Sequence, residues 1–576
     1  MARIVTGERG KAGRAISPII PYNGAVSLSP RMLRLAPWFI GAGGLLLFTL
    51  GLDDRDFIHL EARFALFAQE MLRHGVSPFP TTYGEPYPDY PATGTILIDL
   101  FSLAAGRVTT LSAVLPTAAA AAMTLVFTYL IGALHSRRWG FYAVLLELST
   151  YQFLAAARSV SLDPFVAMVT AGCFYLAYSA ALLDQPGRLW LMPFGLSLGF
   201  AMRGPIGLIL PAAPVIVFFL IERRWSRLAF MSALSLGLLV VWTAGLLAAA
   251  RAQGGEAFVR EVIHQEAIGR MAEATRHPPV YFYPVHALGA FSLSFPVAVL
   301  MAASAWGMLV RPATIEWRLA RHLAAWIVVI TAGLSIPSKQ EIRYLLPIVP
   351  AAALLAAALL ADAPASSRLQ RVRQWVIRLF LLMPWIGVVA VVAACSLPRV
   401  RALLPDRAHP SLVAVLLGGI AVITLVGRQR ARDDVIRDAV TVALGVTAFV
   451  AVTILIVEPV AIELNSVTPF VDQVRSRRPA AAPIAFYKIE PDSSDIKFMA
   501  ALDEPIRPLF IQTVSELASQ APDAVVIAAR DNFDALPPEV KARVHLVAEG
   551  RIARSHCVAF SIEMRGETLS PPAAVD

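Results

Sequence analysis

Residues 51–94 read GLDDRDFIHLEARFALFAQEMLRHGVSPFPTTYGEPYPDYPATG. The stretch follows the first long apolar run and carries Asp53, Asp54, Asp56, His59, Glu61, Glu70, Glu85 and Asp89, in a chain only 16% charged. Carboxylates at a membrane surface are costly to desolvate, so their gathering points to a site rather than to packing. From His59 to Leu72, Leu60, Phe64, Phe67, Met71 and Leu72 recur at spacings of three and four, which predicts a helix with one apolar face. Glu61 falls off that stripe, where it is expected to face an aqueous cavity. Pro78, Pro80, Pro86, Pro88 and Pro91 then forbid regular helix and force a looping path that carries Asp89.

Composition sets the class. The chain has 576 residues, 57% of them hydrophobic, and a mean hydropathy of +0.62. A soluble protein of this size would have too little polar surface, so a polytopic membrane protein is expected. The net charge of +9 does not signal nucleic acid, because the basic residues fall in short clusters between apolar runs. That distribution is what the positive-inside rule produces. Cys173, Cys395 and Cys557 lie far apart and form neither a disulfide framework nor a zinc motif. The basic N-terminus (Arg3, Arg9, Lys11, Arg14) precedes many apolar runs and is expected to be an anchor rather than a cleaved signal peptide.

Residues 1–36 are assigned to the cytoplasm and the first span to 37–52. Further apolar runs lie near 111–134, 140–157, 163–183, 189–202, 205–221, 228–250, 286–309, 323–337, 344–361, 375–396, 411–427 and 439–457. The run 93–105 is short for a crossing. With it in the interface, the clusters at 135–138, 222–224, 311–321, 368–373 and 428–437 all fall on the cytoplasmic side. The expectation is therefore a mainly α membrane protein with about thirteen spans, a membrane domain over 37–460 and a first outward loop over 53–110. Residues 465–576 alternate short β-rich runs (484–487, 524–527, 544–547, 558–561) with helical patterns near 494–502, 513–520 and 537–543. They read as a small soluble α/β domain on the outer, periplasmic side. It has no glycine-rich phosphate loop, so no nucleotide cofactor is expected.

The outward turns hold the candidate chemistry. Glu61 reads as a general base for an acceptor hydroxyl or amine, or as a solvated loop acid. Asp89, in Tyr87-Pro88-Asp89-Tyr90-Pro91, reads as a ligand to a divalent cation or as a turn aspartate. Asp163 before Pro164 fits a helix N-cap, a role that coexists with function. Arg203 interrupts apolar sequence and demands a phosphate or an acidic side chain. Glu266 and Arg270, four apart, share a helix face, as part of a site or as a surface ion pair, in a loop that also offers His264 and His277. Lys339, Arg343 and Tyr344 close a turn, where they hold an anionic lipid headgroup or anchor the interface.

Taken in order over roughly 37–350, several stretches resemble the polytopic GT-C glycosyltransferases that use polyprenyl-phosphate sugars: the lipid A aminoarabinose transferases and bacterial relatives of protein O-mannosyltransferases. They are Glu61-Ala62-Arg63-Phe64 with Gln69-Glu70-Met71-Leu72, Tyr87 to Pro91, Leu162-Asp163-Pro164, Arg203-Gly204-Pro205, Glu266 to Arg270, His277 with Tyr281 to Tyr283, and Lys339 to Pro347. The resemblance implies a GT-C architecture of thirteen spans with an outward C-terminal domain. It implies a catalytic set of Glu61, Asp56 and Asp163, and a donor-phosphate set of Arg203, Arg270, Lys339, Arg343 and Tyr344. It also implies a divalent metal (Zn, Mg or Mn) at Asp89, Glu266 and His264. The sequence departs from the family in three places. Leu60-Glu61 replaces the usual Asp-Glu, so Glu61 or Asp56 takes the aspartate's work; Asp89-Tyr90 loses a lysine; and Ala267 replaces a metal-binding histidine.

The function implied is an inner-membrane glycosyltransferase. It would move a sugar from undecaprenyl phosphate to lipid A, another envelope glycan or lipid, or a protein, with membrane lipids and no nucleic acid as partners. A transporter or lipid flippase would show an inverted repeat and acids in mid-span. Here the acids gather at span ends, and no repeat is evident. A non-catalytic assembly subunit that kept the fold is the third reading.

Overall fold

The computed structural model describes residues 35–52, 55–89, 91–265, 278–361, 366–401, 404, 409–479, 482–520 and 524–562. After helix α1 (Ala36–Thr49), the acid-rich segment forms α2 (Glu61–His74), a hairpin of β1 (Thr81–Thr82) and β2 (Glu85–Pro86), and α3 (Thr93–Ser102). α2 starts two residues later than the periodicity predicts and is buried on more than one stripe. Phe64, Ala65, Phe67 and Ala68 pack into the helical bundle, whereas Ala62 and Leu66 pack against the C-terminal sheet. A helix clamped from two sides needs a wider apolar surface than a surface helix does. The ten residues of α3 are too few to cross a bilayer, which needs about twenty.

The bundle continues with α4 (Thr110–Ala133), α5 (Arg137–Leu148), α6 (Tyr151–Ala157), α7 (Asp163–Leu182), α8 (Met192–Ile221) and α9 (Trp225–Ile263). It is completed by α10 (Phe282–Ala290), α11 (Ser294–Ser304), α12 (Ile315–Leu334), α13 (Val349–Ala361), α14 (Ser367–Ser396), α15 (Pro410–Arg430), α16 (Asp434–Val452) and α17 (Glu458–Asn465). Among the described residues eight helical runs are long and apolar enough to cross a membrane, or nine if α10 and α11, bent by 119°, form one span. The run that ends in α13 is 89% buried and that of α9 only 11%. The alanine-rich α13 is therefore the axis of the bundle, and α9 lies at its lipid-facing rim. Small residues let these helices approach closely: the main chains of Gly132 in α4 and Gly140 in α5 are in contact.

By length alone α8 is one run, but its main chain is non-helical at Arg203 and Gly204. A methyl group on Gly199 or Gly207 would overlap the other residue's carbonyl oxygen. Eight residues of straight helix rise about 12 Å, so this contact requires the chain to turn back at Arg203-Gly204. Gly204 takes the positive φ of that turn, a conformation glycine adopts at no steric cost.

Past α17 come α18 (Thr468–Arg477), β3 (Ile484–Tyr487), α19 (Ser494–Leu502), β4 (Leu509–Ile511), β5 (Val525–Ala529), β6 (Val544–Ile552) and β7 (Ser555–Ile562). The strands form one sheet in the order β4-β3-β5-β7-β6. β3 runs parallel to β4 and β5, and β7 antiparallel to β5 and β6. One face packs Ile484, Phe486 and Ile527 on Phe470 and Phe498; the other packs Tyr487, Val526 and Phe560 on Leu517 and Leu536. Four of the five strands stand where the β-rich runs predict them. β4 has only three residues, too few for a period-two pattern to register.

Candidate active site

At one end of the bundle a cavity of about 380 Å³ opens between α2, the α6–α7 turn, the segment before α13 and the α16–α17 junction. Its wall includes Arg55, His59, Glu61, Arg158, Asp163, Glu341, Arg343 and Glu458. Three guanidinium groups and four carboxylates thus share one cavity with an apolar floor supplied by α6.

Glu61 is buried, at 3% exposure. Its carboxylate is ion-paired with Arg55 and accepts hydrogen bonds from the main-chain N–H groups of Ile58 (2.9 Å) and Val160 (3.1 Å). Burial pushes its carboxyl above the ordinary range, against the pull of Arg55 and the two amides. Glu61, read from the sequence as a general base or a solvated loop acid, is here a buried clasp that joins the first loop to the α6–α7 turn and orients Arg55. Arg55 reaches onward to Glu458 (3.5 Å). Arg158 holds Glu458 through Nε (2.6 Å) and donates from Nη1 to the Leu47 carbonyl (2.9 Å). His59 stands beside this chain, where burial, then Lys497 and Arg554, lower its pKa.

Asp163 is not an N-cap, because Leu162 occupies that position without a side-chain cap. Asp163 opens α7 instead, and its carboxylate pairs with Arg203 and lies 3.3 Å from the Ser161 hydroxyl. Arg203 thus has an acidic partner, as its cost in an apolar span demands. The Arg203 and Arg343 guanidinium groups both sit against the Tyr344 ring, 5.0 and 5.4 Å from its centroid. Arg343 is also ion-paired with Glu341. The chain reversal in α8 brings Arg203 beneath Asp163, and Asp163 and Arg343 stand on the cavity wall.

The other expected residues lie elsewhere. Asp56 accepts a hydrogen bond from Ser466 and so ties the first loop to the chain after α17. Glu70 accepts from the Thr81 hydroxyl (2.6 Å) and the main-chain N–H groups of Tyr83 and Gly84. Glu85 pairs with Arg507 (3.0 Å). Asp56, Glu70 and Glu85 thus fasten the loop to its neighbours, and Asp53 and Asp54 lie outside the described residues. Asp89 is outside the cavity wall, within electrostatic reach of Tyr87 and Asp492. Lys339 and His264 are exposed and do not line the cavity. Glu266, Arg270 and His277 lie outside the described residues. Among the described residues no group of three or more His, Cys, Asp or Glu side chains is placed to hold a metal ion. The described part of the expected metal set, Asp89 and His264, does not by itself fit one.

Sequence reasoning passed over Arg55, Arg158, Glu341 and Glu458. The signal that singled out Arg203, a charge at the end of an apolar run, applies equally to Arg158 and Glu458. Arg55 is the lone cation in Asp53-Asp54-Arg55-Asp56, and its reading was lost among the acids.

Comparison with known proteins gives three likenesses. The family described as dolichyl-phosphate-mannose-protein mannosyltransferase matches residues 89–246. Undecaprenyl phosphate-alpha-4-amino-4-deoxy-L-arabinose arabinosyl transferases are similar in sequence. The one from Pectobacterium carotovorum is 28% identical over 327 residues, 55% of this chain and 57% of that protein. The one from Aeromonas salmonicida is 26% identical over 404 residues, 67% of this chain and 70% of that protein. The match thus spans little more than half the length of the Pectobacterium enzyme. In structure, ArnT from Cupriavidus metallidurans bound to undecaprenyl phosphate superposes with a TM-score of 0.69 at 18% identity, covering 92% of this chain and 98% of that one. The fold is that of ArnT, and the resemblance to the GT-C glycosyltransferases read from the sequence holds.

Proposed function

We propose that this chain is an inner-membrane glycosyltransferase that moves a sugar from undecaprenyl phosphate to an envelope acceptor, lipid A first among them. The observation that carries this is the cavity in which Arg55, Arg158 and Arg343 face Asp163 and Glu341, in a chain with the ArnT fold. Departure of the sugar builds positive charge at its anomeric carbon and negative charge on the phosphate. Fixed guanidinium groups stabilise the second, and Arg343 and Arg158 are the ones we assign to it. A carboxylate within reach of the acceptor takes its proton. We assign that role to Asp163, whose Oδ2 accepts, among the described residues, from the Ser161 hydroxyl at 3.3 Å; the oxygens of Glu61 are taken up by Arg55 and two amides. Glu61 is then a positioning residue. Arg203 and Tyr344 set the orientation of Asp163 and Arg343, while Asp56, Lys339 and Arg270 are left without an assigned step. A divalent metal at Asp89, Glu266 and His264 is a separate proposal, tested by transfer after chelation, and no step here depends on it.

We also propose thirteen crossings, with residues 1–36 in the cytoplasm, the membrane domain over 37–460 and residues 465–576 as a periplasmic α/β domain. Asp163 and Arg343 line one cavity, so an even number of crossings separates them. With α8 counted as two and the bent α10–α11 pair as one, the helices α7 to α12 make six. A straight α8 with that same pair would make five and put the two residues on opposite faces.

Binding of undecaprenyl phosphate to the purified full chain tests the site. The loss of one guanidinium from a charge-assisted contact weakens binding about tenfold or more. Arg343→Gln is expected to show this, with Lys339→Gln unchanged. Equal binding by wild type and Arg343→Gln would remove the phosphate assignment.

A further inference from the structure

A second cavity, of about 320 Å³, lies between the first turns of α14 and α16 and the last turn of α15. Four arginines line it, Arg373, Arg378, Arg428 and Arg437, against two aspartates, Asp434 and Asp438, leaving an excess of two positive charges. The arginines are held in place by protein contacts that do not use up their donors. Arg373 Nη2 donates to Asp438 (2.9 Å), Arg428 Nη1 to the Thr441 hydroxyl (2.9 Å), and Arg437 Nη2 pairs with Asp434 (2.8 Å). Among the described residues the buried Nε atoms of Arg373 and Arg437 have no hydrogen-bond partner. Arg378 is exposed and rests on the indole of exposed Trp375, 5.7 Å from the ring centroid. Buried guanidinium nitrogens with donors to spare are costly unless an acceptor comes to them.

The position of this cavity narrows the acceptor. Asp438 lines it, and Glu458, twenty residues on along the same helical path, lines the first cavity. Twenty residues of helix span about 30 Å, the thickness of a bilayer's hydrocarbon core. The second cavity therefore stands at the opposite membrane face, at the depth of lipid headgroups. Trp375, an interfacial residue type, marks that depth.

We propose that this cavity binds a phosphoryl group, carried by the headgroup of an anionic phospholipid of that leaflet. The planar forks of arginine match phosphate oxygens in pairs, and basic pockets between helix ends take such headgroups. The lipid source rests on the reading that the chain spans a membrane; it does not depend on glycosyl transfer.

Native mass spectrometry of the full chain tests this, after extraction from nanodiscs of phosphatidylcholine alone or with cardiolipin or phosphatidylglycerol. The test variants are Arg378→Gln, which removes an exposed side chain, and Arg378→Gln with Arg428→Gln. Wild type is expected to retain one anionic lipid through extraction. Each lost cation lowers retention about fivefold, and the double variant about twenty-five-fold. Phosphatidylcholine is retained equally, and weakly, by all three. If no lipid is retained but millimolar inorganic phosphate stabilises wild type and not the double variant, the phosphoryl site stands with free phosphate as its source. Equal retention of anionic lipid by wild type and double variant, with no difference in phosphate response, would overturn the proposal.

Discussion

Arg158 and Glu458, three hundred residues apart, are joined by two guanidinium hydrogen bonds of 2.6 and 3.3 Å. The pair locks the turn before α7 to the start of α17, the helix that leads to the C-terminal sheet. Arg158 is 4% and Glu458 15% exposed at the side chain, so the pair is screened little by solvent. Breaking it leaves Arg158 without a carboxylate at the cavity wall.

Glu458→Gln is expected to destabilise the chain by about 2–3 kcal/mol, since removing one partner strands a buried charge. Arg158→Met with Glu458→Gln should cost less than the sum of the single changes, because the pair is one unit. Thermal unfolding of the detergent-solubilised chain measures both. Additive losses would show that the two residues do not act together.

Glu70→Ala separates the scaffold acids from the site acids. It leaves the Thr81 hydroxyl and two main-chain N–H groups without their acceptor, so stability should fall by about 2 kcal/mol. Activity per folded molecule should change little, because Glu70 does not line the cavity. A severe loss of activity with normal unfolding would instead place Glu70 in the chemistry.

His59 gives the account a pH signature. Its folded pKa lies below the ordinary value of 6.5, chiefly through burial. The unfolded chain therefore binds more protons in the window below that value, and the contribution to stability is full above about 6.5 and lost as pH falls. His59→Asn, which tolerates the left-handed backbone found here, should gain melting temperature relative to wild type as pH drops from about 7 to 5. Parallel curves would contradict this.

The reversal in α8 predicts a topology. Asp184 and Arg223, before and after the hairpin, should lie on the same membrane side. Cysteines placed one at a time by Asp184→Cys and Arg223→Cys, with Cys173, Cys395 and Cys557 replaced by serine, should label alike with a membrane-impermeant maleimide. Opposite labelling would mean that α8 crosses once and that about thirteen spans is an overcount.

Much of this was legible in the sequence. Apolar runs place most of the helices, because burial in lipid or in the bundle demands them, and the turn at Arg203-Gly204 is visible as a charge next to a helix breaker. Charge clusters alone could not tell the fastening acids from the cavity acids. Glu70 and Glu61 sit nine residues apart on one helix and each accepts from two main-chain amides; the Arg55 guanidinium and a place on the cavity wall set Glu61 apart. The first loop's acids drew attention because they are dense, whereas Arg158 and Glu458 stand alone at the ends of apolar runs and meet only through the fold. Asp163 carried a local explanation, helix capping, which hid the long-range partner Arg203 that the structure supplies.

The most direct test is transfer of radiolabelled sugar from undecaprenyl-phosphate donors to envelope lipids, with wild type, Asp163→Asn and Glu61→Gln compared at equal amounts of folded protein. The account predicts transfer by wild type, a loss of about 10²–10⁴-fold in Asp163→Asn, as expected for removal of a general base, and a smaller loss in Glu61→Gln. No transfer by wild type from any such donor, or full activity in Asp163→Asn, would contradict it.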